Sequence, residues 1–307
     1  MKNNVGIIIL NWKQPKLTVE TIDSVLKIKN RFFEYQIYLV DNGSPDDSLK
    51  IFNKKYSTNP KITILEFSHN LGFAGGNSQA ANLIQDKHDL ILFLNNDVIV
   101  NPNFLDILVN YLLENKQISA VSPKIFFAPG HEYHQDRYQK KDLGKVIWSA
   151  GGTIDWNNIY GSNYGIDQVD HGQFDREIIN RDYISGCCLL IKSEVIKKIG
   201  SFDPLYFTYY EDADLCQRLL KNNFSFSYCP NSVIWHINSG SSSPGSPSHD
   251  YFLTRNRLLF GFRYANLKTK FALFRHSIQI LLFSPSSWQK KGIIDYYFGN
   301  LNRGSWK

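Results

Sequence analysis

Two acidic sites follow apolar or aromatic runs, and each has residues that could carry out chemistry. The first is Asn95-Asn96-Asp97, which comes directly after the apolar run LILFL. A carboxylate at Asp97 can coordinate a hard divalent cation, which binds diphosphate oxygens and neutralises the charge of a leaving group. Because Asn and Asp are also common turn residues, an ordinary capped turn is the alternative interpretation.

The second acidic site is the pair Glu211-Asp212 in the sequence FDPLYFTYYEDADLCQRLLK. A carboxylate at the start of a helix can take the proton of an attacking hydroxyl group. The aromatic residues before the pair would partly exclude water from it and raise its pKa towards neutrality. These neighbours are Tyr206, Phe207, Tyr209 and Tyr210. Ordinary capping is the alternative, because acids in a first helical turn interact favourably with the helix dipole.

Polar residues that could bind a nucleotide follow three other apolar runs. Asn11 follows the first run, and Asp41-Asn42 follow the second, where an acidic residue can bond to a ribose hydroxyl or a base edge. The glycine-rich sequence NLGFAGGN follows the third run and contains Asn70, Gly72, Gly76 and Asn77. Its glycines would let the backbone approach a nucleotide closely, although it is neither a Walker loop nor GxGxxG. Asp41 also fits a helix cap or an Asx-turn in DNGSPDD.

Three further charged sites could be functional or structural. His236 ends another apolar run, where it could bind a metal ion as the neutral imidazole or a phosphate as the cation, or be structural. Arg255 and Arg257 could contact a diphosphate, or lie on a solvated helix face. Asp214 and Arg218 are four residues apart, which predicts a surface ion pair.

The elements that must position these residues begin with four apolar runs rich in β-branched residues. They span residues 5–10, 36–40, 62–67 and 90–94, and recur at intervals of about 25 to 30 residues, the size of a strand–helix–strand unit. Helical spacing predicts helices over 17–28 and 76–86. Strands that are apolar throughout belong in a parallel sheet covered on both faces, which predicts a doubly wound α/β domain. Polar clusters at all four strand ends then share one ligand-binding edge.

The second half of the chain has a weaker pattern. Residues 129–180 are polar, aromatic and rich in glycine, without a periodic signal. Beyond them, the pattern predicts strands and helices alternately, then a loop and two long helices. The strands are 183–191 and 224–229, the helices are 193–199, 212–221, 251–262 and 264–283, and the loop is 240–247. We therefore expect a domain over 1–262, with a nucleotide-binding half at 1–128 and an acceptor-binding half at 129–262, and a helical extension over 263–307.

Composition excludes several classes of protein. The 307 residues are 43% hydrophobic and 20% charged, which is ordinary for a globular protein. We expect a cytoplasmic protein, because the sequence has no secretory signal and no apolar run of the roughly 18 residues that span a bilayer. The four cysteines form no CxxC pair and no readable disulfide framework. The net charge of +6 is modest and its bases are scattered, so we do not expect nucleic-acid binding.

An ordered set of motifs gives the sequence a family resemblance. IILNW, LVDNGSPDDS, NLGFAGGNSQA, FLNNDV, GCCLLIKSEVIKKIGSFDPLYFTYYEDADLCQRL and WHINSGSS occur in that order over residues 5–256. The set resembles family 2 (rhamnosyltransferase-like) inverting glycosyltransferases of the GT-A fold. The resemblance implies a Rossmann-like, mixed and mostly parallel sheet, and a nucleoside-diphosphate sugar donor linked to dTDP or UDP. It also implies a Mg²⁺ or Mn²⁺ ion and a product for a cell-surface polysaccharide or glycolipid.

The resemblance also implies a role for individual residues. Asn11, Asp41 and Asn70 fall on nucleotide-binding positions, whereas Asp97 falls on the last acid of the Asp-x-Asp metal motif. Asp212 matches the catalytic base, which is preceded by Glu211, and His236 matches a histidine that can complete the metal or diphosphate site. The first metal-motif position is Asn95 rather than Asp, so the metal is expected to bind weakly until the donor arrives. The implied reaction is a direct displacement with inversion and without a covalent intermediate.

The sequence leaves open two alternative functions and the role of the C-terminal helix. A non-catalytic sugar-nucleotide or glycan-binding module is disfavoured by the intact Glu211-Asp212 pair but slightly favoured by Asn95. A dehydrogenase would need GxGxxG, and a nucleotidyltransferase a glycine-rich loop after the first strand; both are missing. The predicted helix 264–283 is basic and amphipathic, so it could lie on the inner face of an anionic membrane next to a lipid-linked acceptor, pack on the sheet domain or form an oligomer.

Overall fold

The computed structural model describes residues 3–237 and 245–306, apart from the side chain of Gln135. Its strands are β1 (Asn3–Asn11), β2 (Phe33–Asp41), β3 (Ile62–Glu66), β4 (Leu90–Leu94), β5 (Val98–Val100), β6 (Ile118–Phe127), β7 (Ile147–Ser149), β8 (Gly152–Asp155), β9 (Tyr160–Asn163), β10 (Ile178–Ile179), β11 (Cys188–Lys192) and β12 (Ser225–His236). Its helices are α1 (Pro15–Val25), α2 (Ser48–Tyr56), α3 (Gly72–Ile84), α4 (Phe104–Glu114), α5 (Ser193–Ile199), α6 (Glu211–Lys221), α7 (Pro247–Tyr264), α8 (Leu267–Phe283) and α9 (Ser287–Tyr297). Short 3₁₀ turns occur at Gln135–Arg137 and Pro204–Tyr206.

A mixed sheet forms the centre of the fold. Its main strand order is β10-β12-β6-β11-β4-β1-β2-β3, with β5 added on β12 and β7 on β6. Strands β4, β1, β2 and β3 are mutually parallel, as the four apolar runs predicted, whereas β11 is antiparallel to both β4 and β6. The side chains of β1 enter two hydrophobic clusters, with Ile8 in one and Ile7 and Ile9 in the other. The sheet is therefore covered on both faces, and the α/β prediction is confirmed.

The boundaries of several predicted elements were wrong or incomplete. The strand predicted at 183–191 begins only at Cys188, because its pairing with β4 ends at Cys188 and Leu94. The strand predicted at 224–229 belongs to β12, which continues to His236 through a register shift between Cys229 and Val233. Helices α2 and α4 and strand β6 were missed. Residues 240–244 of the predicted loop lie outside the described residues.

The C-terminal region is a unit of three helices, rather than one long helix after α7. Helix α7 continues to Tyr264, Ala265 is extended, and Asn266 caps α8 by accepting a hydrogen bond from the backbone N–H of Thr269. Helix α9, which the irregular sequence did not predict, packs on α7: a Cβ at Gly292 would lie 2.7 Å from the carbonyl oxygen of Tyr251. The division of the chain at residue 262 stays a prediction. In the two described ranges, no helix is both long and apolar enough to cross a membrane.

The predicted surface pair of Asp214 and Arg218 is instead part of a buried connection between α6 and α7. Asp214 is completely buried and accepts hydrogen bonds from Arg218 Nε at 2.7 Å and Arg263 Nη1 at 3.0 Å. The hydroxyl groups of Tyr206 and Tyr264 donate to the same carboxylate at 3.0 and 2.8 Å. Because a buried charge needs such compensation, this network ties the helix that begins with Glu211-Asp212 to the C-terminal helices.

Candidate active site

The ends of β1 and β2 are joined by a chain of buried polar side chains. Asn11 and Asp41 are paired in the sheet register, and Asn11 Nδ2 donates to Asp41 Oδ1 at 2.9 Å. The hydroxyl of Thr18 donates to Asn11 Oδ1 at 2.8 Å, and Asn96 Nδ2 donates to that hydroxyl at 2.9 Å. The network thus connects the loop after β4 to the first two strands. Thr18 was not predicted as a site residue, because in the sequence it is only one more residue of an amphipathic helix.

The glycine-rich sequence begins α3 and is stabilised by Asn42. Asn42 Nδ2 donates to Asn70 Oδ1 and to the carbonyl oxygen of Gly72, both at 3.1 Å, and Asn42 Oδ1 accepts from the backbone N–H of Leu71. Gly72 has φ +74°, and a Cβ there would lie 2.5 Å from the ring of Phe207. This glycine is required by backbone conformation and close packing.

Gly76 and Asn77 lie deeper in α3 than the sequence suggested. A Cβ at Gly76 would approach Leu10 to 2.8 Å and Asn42 Nδ2 to 3.1 Å. Asn77 is 2% exposed, and its amide donates to the carbonyl oxygen of Phe73 one helical turn away. Both residues therefore shape the base of the site from below.

A cavity of about 380 Å³ opens above these strand ends. Polar groups from the strand ends and aromatic side chains from elsewhere in the chain form its walls. Its lining consists of Leu10, Trp12, Gln14, Asn42, Asn70, Gly72, Phe73, Asn96, Phe207, Thr208, Tyr209, Ser248, Phe252 and Trp306. Apolar and aromatic walls with a few convergent polar groups are typical of small-molecule sites. Trp306 comes from the C-terminal end of the chain, which the sequence did not connect with the site.

Asp97 and His236 face each other at the edge of this region. Backbone pairing of β5 with β12 brings them together, because Val98 is opposite His236 and the N–H of Ile237 donates to the Asp97 carbonyl at 2.8 Å. His236 Nε2 is 3.3 Å from Asp97 Oδ1, and both side chains are largely buried. The ring of His236 packs on Trp148 at 4.5 Å between centroids. The packing fixes the imidazole edge that faces the carboxylate.

This pair has the chemistry of a divalent metal site that needs an additional ligand. In the described part of the chain, Asn95 Oδ1 is buried without a hydrogen-bond partner, so it is a further oxygen ligand available to a cation. No group of three or more His, Cys, Asp or Glu residues within 3–237 and 245–306 is arranged to hold a metal ion. The residues fit a Mg²⁺ or Mn²⁺ ion whose remaining positions are filled by oxygens of a ligand.

Glu211 and Asp212 begin α6, and their environments differ. Asp212 Oδ2 accepts from the backbone N–H of Gly186 at 3.1 Å, and Oδ1 accepts from that of Ala213 at 2.8 Å. In the described structure, Glu211 Oε2 is buried and lacks a hydrogen-bond partner. Burial raises the pKa of both carboxyl groups, and for Glu211 the charge of Asp212 raises the pKa further. The N–H donors oppose the effect of burial on the pKa of Asp212, so ionisation is favoured at Asp212 over Glu211.

The two acidic sites lie on either side of Gly186-Cys187. The N–H of Gly186 donates to Asp212, whereas the carbonyl oxygen of Cys187 accepts from the N–H of Asn95 at 2.8 Å. Burial raises the pKa of the Cys187 thiol well above its usual range, with smaller contributions from the charges of Asp97 and Asp212. The two hydrogen bonds bring the candidate base and the loop that begins at Asn95 to the same edge of the sheet.

The segment before Glu211 has an unusual backbone. Phe207, Tyr209 and Tyr210 have φ values of 63°, 69° and 71°, in the left-handed region that costs a non-glycine residue about 1–3 kcal/mol. Asn256 of α7 stabilises this conformation. Its Nδ2 donates to the carbonyl oxygens of Tyr206, Thr208 and Tyr209 at 2.8, 2.6 and 3.0 Å. The helix that presents Glu211-Asp212 thus depends on an amide that the sequence analysis did not single out.

The prediction that Arg255 contacts a diphosphate does not agree with its position. Arg255 is completely buried, and its Nη1 donates to the carbonyl oxygen of Asn302 at 2.6 Å. Its Nη2 donates to the carbonyl oxygen of Tyr206 at 2.9 Å. Arg257 donates to the carbonyl oxygen of Asn158 and packs over Tyr160, so it is also engaged elsewhere. Arg255 has a structural role here, in which it connects the C-terminal end of the chain to the strained segment.

A family model decides which family this arrangement belongs to. Residues 3–259 match the model described as glycosyltransferase-like family 2. The chain belongs to this family. It is a glycosyltransferase that uses nucleotide sugars.

The chain is similar to several named glycosyltransferases. The N-acetylglucosaminyl-diphospho-decaprenol L-rhamnosyltransferase of Mycobacterium tuberculosis is 25% identical over 222 residues, which cover 69% of this chain and 70% of that protein. The low-salt glycan biosynthesis hexosyltransferase Agl10 of Haloferax volcanii is 23% identical over 263 residues, 84% of this chain and 76% of that protein. Rhamnosyltransferase WbbL of Escherichia coli is 27% identical over 165 residues, 52% of this chain and 58% of that protein.

Two solved structures confirm the GT-A fold. GalNAc-T7, crystallised with UDP, GalNAc and Mn²⁺, superposes with a TM-score of 0.66 at 17% identity and covers 96% of this glycosyltransferase, which spans 55% of that chain. The mannosyltransferase PcManGT of Pyrobaculum calidifontis, in complex with GDP-Man and Mn²⁺, has a TM-score of 0.58 at 13% identity and covers 100% of this chain and 88% of its own. Both predictions, the family and the fold, are confirmed.

Replacing Asn256 by Ala tests the role of the strained segment. The carbonyl groups of Thr208 and Tyr209 would lose the Asn256 donor and that of Tyr206 would keep only its other donors, so residues 207–210 would relax and shift the acidic pair at the start of α6. We expect kcat to fall by about 10- to 100-fold, because small misplacements of a catalytic group have effects of this size. The KM for the donor should change little. Asn110→Ala on α4, whose amide donates to Glu114, is the control. Unchanged kcat in folded Asn256→Ala would contradict the proposed dependence.

Proposed function

We propose that this glycosyltransferase moves a sugar from a nucleoside-diphosphate donor onto a hydroxyl group of a polysaccharide or lipid-linked acceptor, with inversion at the anomeric carbon. One observation carries the proposal: Asp212 accepts a hydrogen bond from the N–H of Gly186, and Asn95, two residues before Asp97, donates to the carbonyl oxygen of Cys187. A leaving diphosphate beside Asp97 and an attacking hydroxyl beside Asp212 would then be separated by the reacting carbon. Two relatives support this acceptor class by their names: the Mycobacterium tuberculosis enzyme is named for an N-acetylglucosaminyl-diphospho-decaprenol, and Agl10 for glycan biosynthesis.

The nucleotide is proposed to lie over the connected ends of β1 and β2. Asn11, Asp41 and Asn42 form the buried base of this region, while Asn70 and Asn96 are only partly buried and line the cavity. Each carboxylate oxygen of Asp41 accepts one hydrogen bond and retains a second lone pair for a base or ribose donor. The two rhamnosyltransferase relatives support rhamnose as the sugar. The proposal of dTDP or UDP as the nucleotide comes from the family resemblance of the sequence.

Asp97, His236 and Asn95 are proposed to bind Mg²⁺ or Mn²⁺ together with the diphosphate. The ion, when bound, would neutralise the charge that develops on the leaving nucleoside diphosphate. Since position 95 is Asn, it contributes a neutral amide oxygen to the ligand set in place of a carboxylate. The chain therefore holds only one negative charge in this ligand set, so ion and nucleotide should bind cooperatively.

Asp212 is proposed to act as the base. Its carboxylate, oriented by the N–H groups of Gly186 and Ala213, accepts the proton of the acceptor hydroxyl. The hydroxyl oxygen then attacks the anomeric carbon from the face opposite the diphosphate. Its bond to that carbon forms as the bond from the carbon to the diphosphate oxygen breaks. Neutral Glu211 avoids a second negative charge next to the base. Phe207 and Tyr209 in the cavity wall would restrict access of water, which would otherwise compete with the acceptor.

The cysteines support the proposed cytoplasmic location. Cys187, Cys188, Cys216 and Cys229 are all buried free thiols. Free thiols are typical of proteins in reducing compartments.

Nucleotide binding with and without metal tests the metal site. In a thermal-shift panel of UDP, dTDP and GDP, we expect UDP or dTDP to raise the melting temperature more when Mn²⁺ is present, because ligands that bind the native state stabilise it. Asp97→Ala should lose this metal-dependent increment while it keeps the smaller shift from nucleotide alone. Asp86→Ala, an exposed acid paired with Lys197, is the control. A full increment in Asp97→Ala would place the metal elsewhere.

A matched pair of isosteric substitutions tests the assignment of the base. Asp212→Asn should lower turnover by about 100-fold or more, the usual contribution of a general base, and leave donor binding intact. Glu211→Gln should keep turnover within about threefold, since Gln resembles the protonated acid. Turnover is followed as release of nucleoside diphosphate, which also separates glycosyl transfer from nucleotidyl transfer, where pyrophosphate leaves.

The pH dependence follows from the raised pKa of Asp212. The base must be ionised, so wild-type activity should be lost as the pH falls through the pKa of Asp212. We expect this loss at a pH above the ordinary Asp pKa of about 4. Normal turnover by Asp212→Asn, or loss of activity in Glu211→Gln but not in Asp212→Asn, would show that the base is another group.

A further inference from the structure

Helix α8 exposes a continuous apolar stripe. Its opposite face is occupied, since Leu273 packs against Gly261 of α7 and the Thr269 hydroxyl donates to the carbonyl oxygen of Trp156. The outward side chains recur at intervals of three or four residues, which places them on one side of the helix. They are Leu267, Phe271, Phe274, Ile278 and Leu282, with exposures of 84, 67, 46, 42 and 64%. An isolated exposed apolar residue is ordinary, but a full-length stripe marks an interaction surface.

Helix α9 extends this stripe into a wider surface. The rings of Phe274 and Tyr297 are in edge-on contact at 6.4 Å, and the Ser277 and Tyr297 hydroxyl groups are 2.8 Å apart. Tyr297 is 44% exposed and Phe298 is 84% exposed. We call the α8 stripe together with these two residues the basic apolar face, for the charges that flank it.

Positive charge is concentrated in the same part of the chain, so the description of the bases as scattered was wrong for the C-terminal region. Residues 263–307 contain eight basic residues and one acid, a net charge of +7, whereas residues 1–262 contain 26 basic and 27 acidic residues, a net charge of −1. The one acid, Asp295, is buried and bonded to Tyr251. At 3.6 residues per turn, Lys268 and Arg275 flank the stripe on one side and Lys270 on the other. The net charge of the whole protein thus arises in its C-terminal region, and three of the bases flank the exposed apolar stripe.

We propose that the basic apolar face binds the surface of an anionic lipid bilayer. Apolar side chains flanked on both sides by bases, on a helix without an acid, match a surface that combines acyl chains with negative headgroups. A second copy of this chain would present the same positive charge and would be repelled. The inference goes beyond the proposed reaction, because it needs neither donor nor metal.

The three C-terminal helices also connect this face to the cavity. Trp306, which lines the cavity, lies 4.8 Å from the ring of Trp288 in the first turn of α9. The helical unit that would contact the bilayer therefore forms part of the cavity wall. A lipid-linked acceptor in the membrane would be close to the site without leaving the bilayer.

Vesicle co-sedimentation in the absence of nucleotide tests the proposal. The full chain should sediment with phosphatidylcholine vesicles that contain phosphatidylglycerol, and roughly tenfold or more weakly with phosphatidylcholine alone, because several bases face the lipid. The double variant Phe271→Ser with Leu282→Ser should lower the partition by about tenfold or more, because two large apolar side chains no longer enter the bilayer. The double variant Lys268→Glu with Arg275→Glu should have an effect of similar size.

Matched controls lie on the sheet domain. Leu83→Ser with Ile51→Ser changes two exposed apolar residues there, and Lys50→Glu with Lys54→Glu changes two exposed bases; both double variants should leave vesicle binding unchanged. The nucleotide-dependent thermal shift of all variants should equal that of the wild type, which separates loss of membrane binding from loss of the donor site or the fold.

Three results would overturn the proposal. They are equal or absent binding to the two kinds of vesicle, an equal loss in the control variants, and a dimer in light scattering that Phe271→Ser with Leu282→Ser converts to a monomer without any vesicle binding. The last result would show that a second copy covers the face.

Discussion

The antiparallel pairing of β11 with β4 is the constraint on which the site depends. The pairing ends at Cys188 and Leu94, where β4 ends and β11 begins. After β4 the chain continues as Asn95 to Asp97. Before β11 it passes through Gly186-Cys187, where the N–H of Gly186 orients Asp212. A shift of one residue in this register would turn every side chain to the other face and separate the two acidic sites. The sheet thus sets the spacing of the proposed metal ligand and the proposed base, and the loops supply their side chains.

A second constraint comes from the C-terminal helices. The left-handed residues before Glu211 are unfavourable by themselves, so their conformation needs compensation from elsewhere in the fold. Asn256 and Arg255 supply it through hydrogen bonds to main-chain carbonyl groups, and Asp214 adds a buried network between α6 and α7. We infer that α7 is part of the catalytic architecture, although it contributes no group to the proposed chemistry.

The sequence was informative where the signal is local. Apolar runs predicted four parallel strands, and polar residues at their ends predicted the shared edge. Sequence analysis failed where the decisive contact is distant: Asn256 is 50 residues from Tyr206, and nothing in its neighbourhood marks it. Arg255 was interpreted as a ligand contact because its burial depends on Asn302 and on α9, an element that the irregular tail did not predict. The break between α7 and α8 was predicted at residue 263, about two residues early, because the apolar pattern continues across Tyr264. The roles of the acidic residues rest on the motif set, and geometry now gives them a common location.

The central claim is that one edge of the sheet binds the metal ion and the nucleotide and also presents the base. Anomalous diffraction from a crystal of this chain grown with Mn²⁺ and UDP or dTDP tests it most directly. The account predicts a manganese peak beside the carboxylate of Asp97 and the imidazole of His236, with the nucleotide over the ends of β1 and β2 and Asp212 facing the diphosphate. A peak remote from Asp97, or a nucleotide in the separate cavity lined by His88, Asp89 and Lys192, would contradict it.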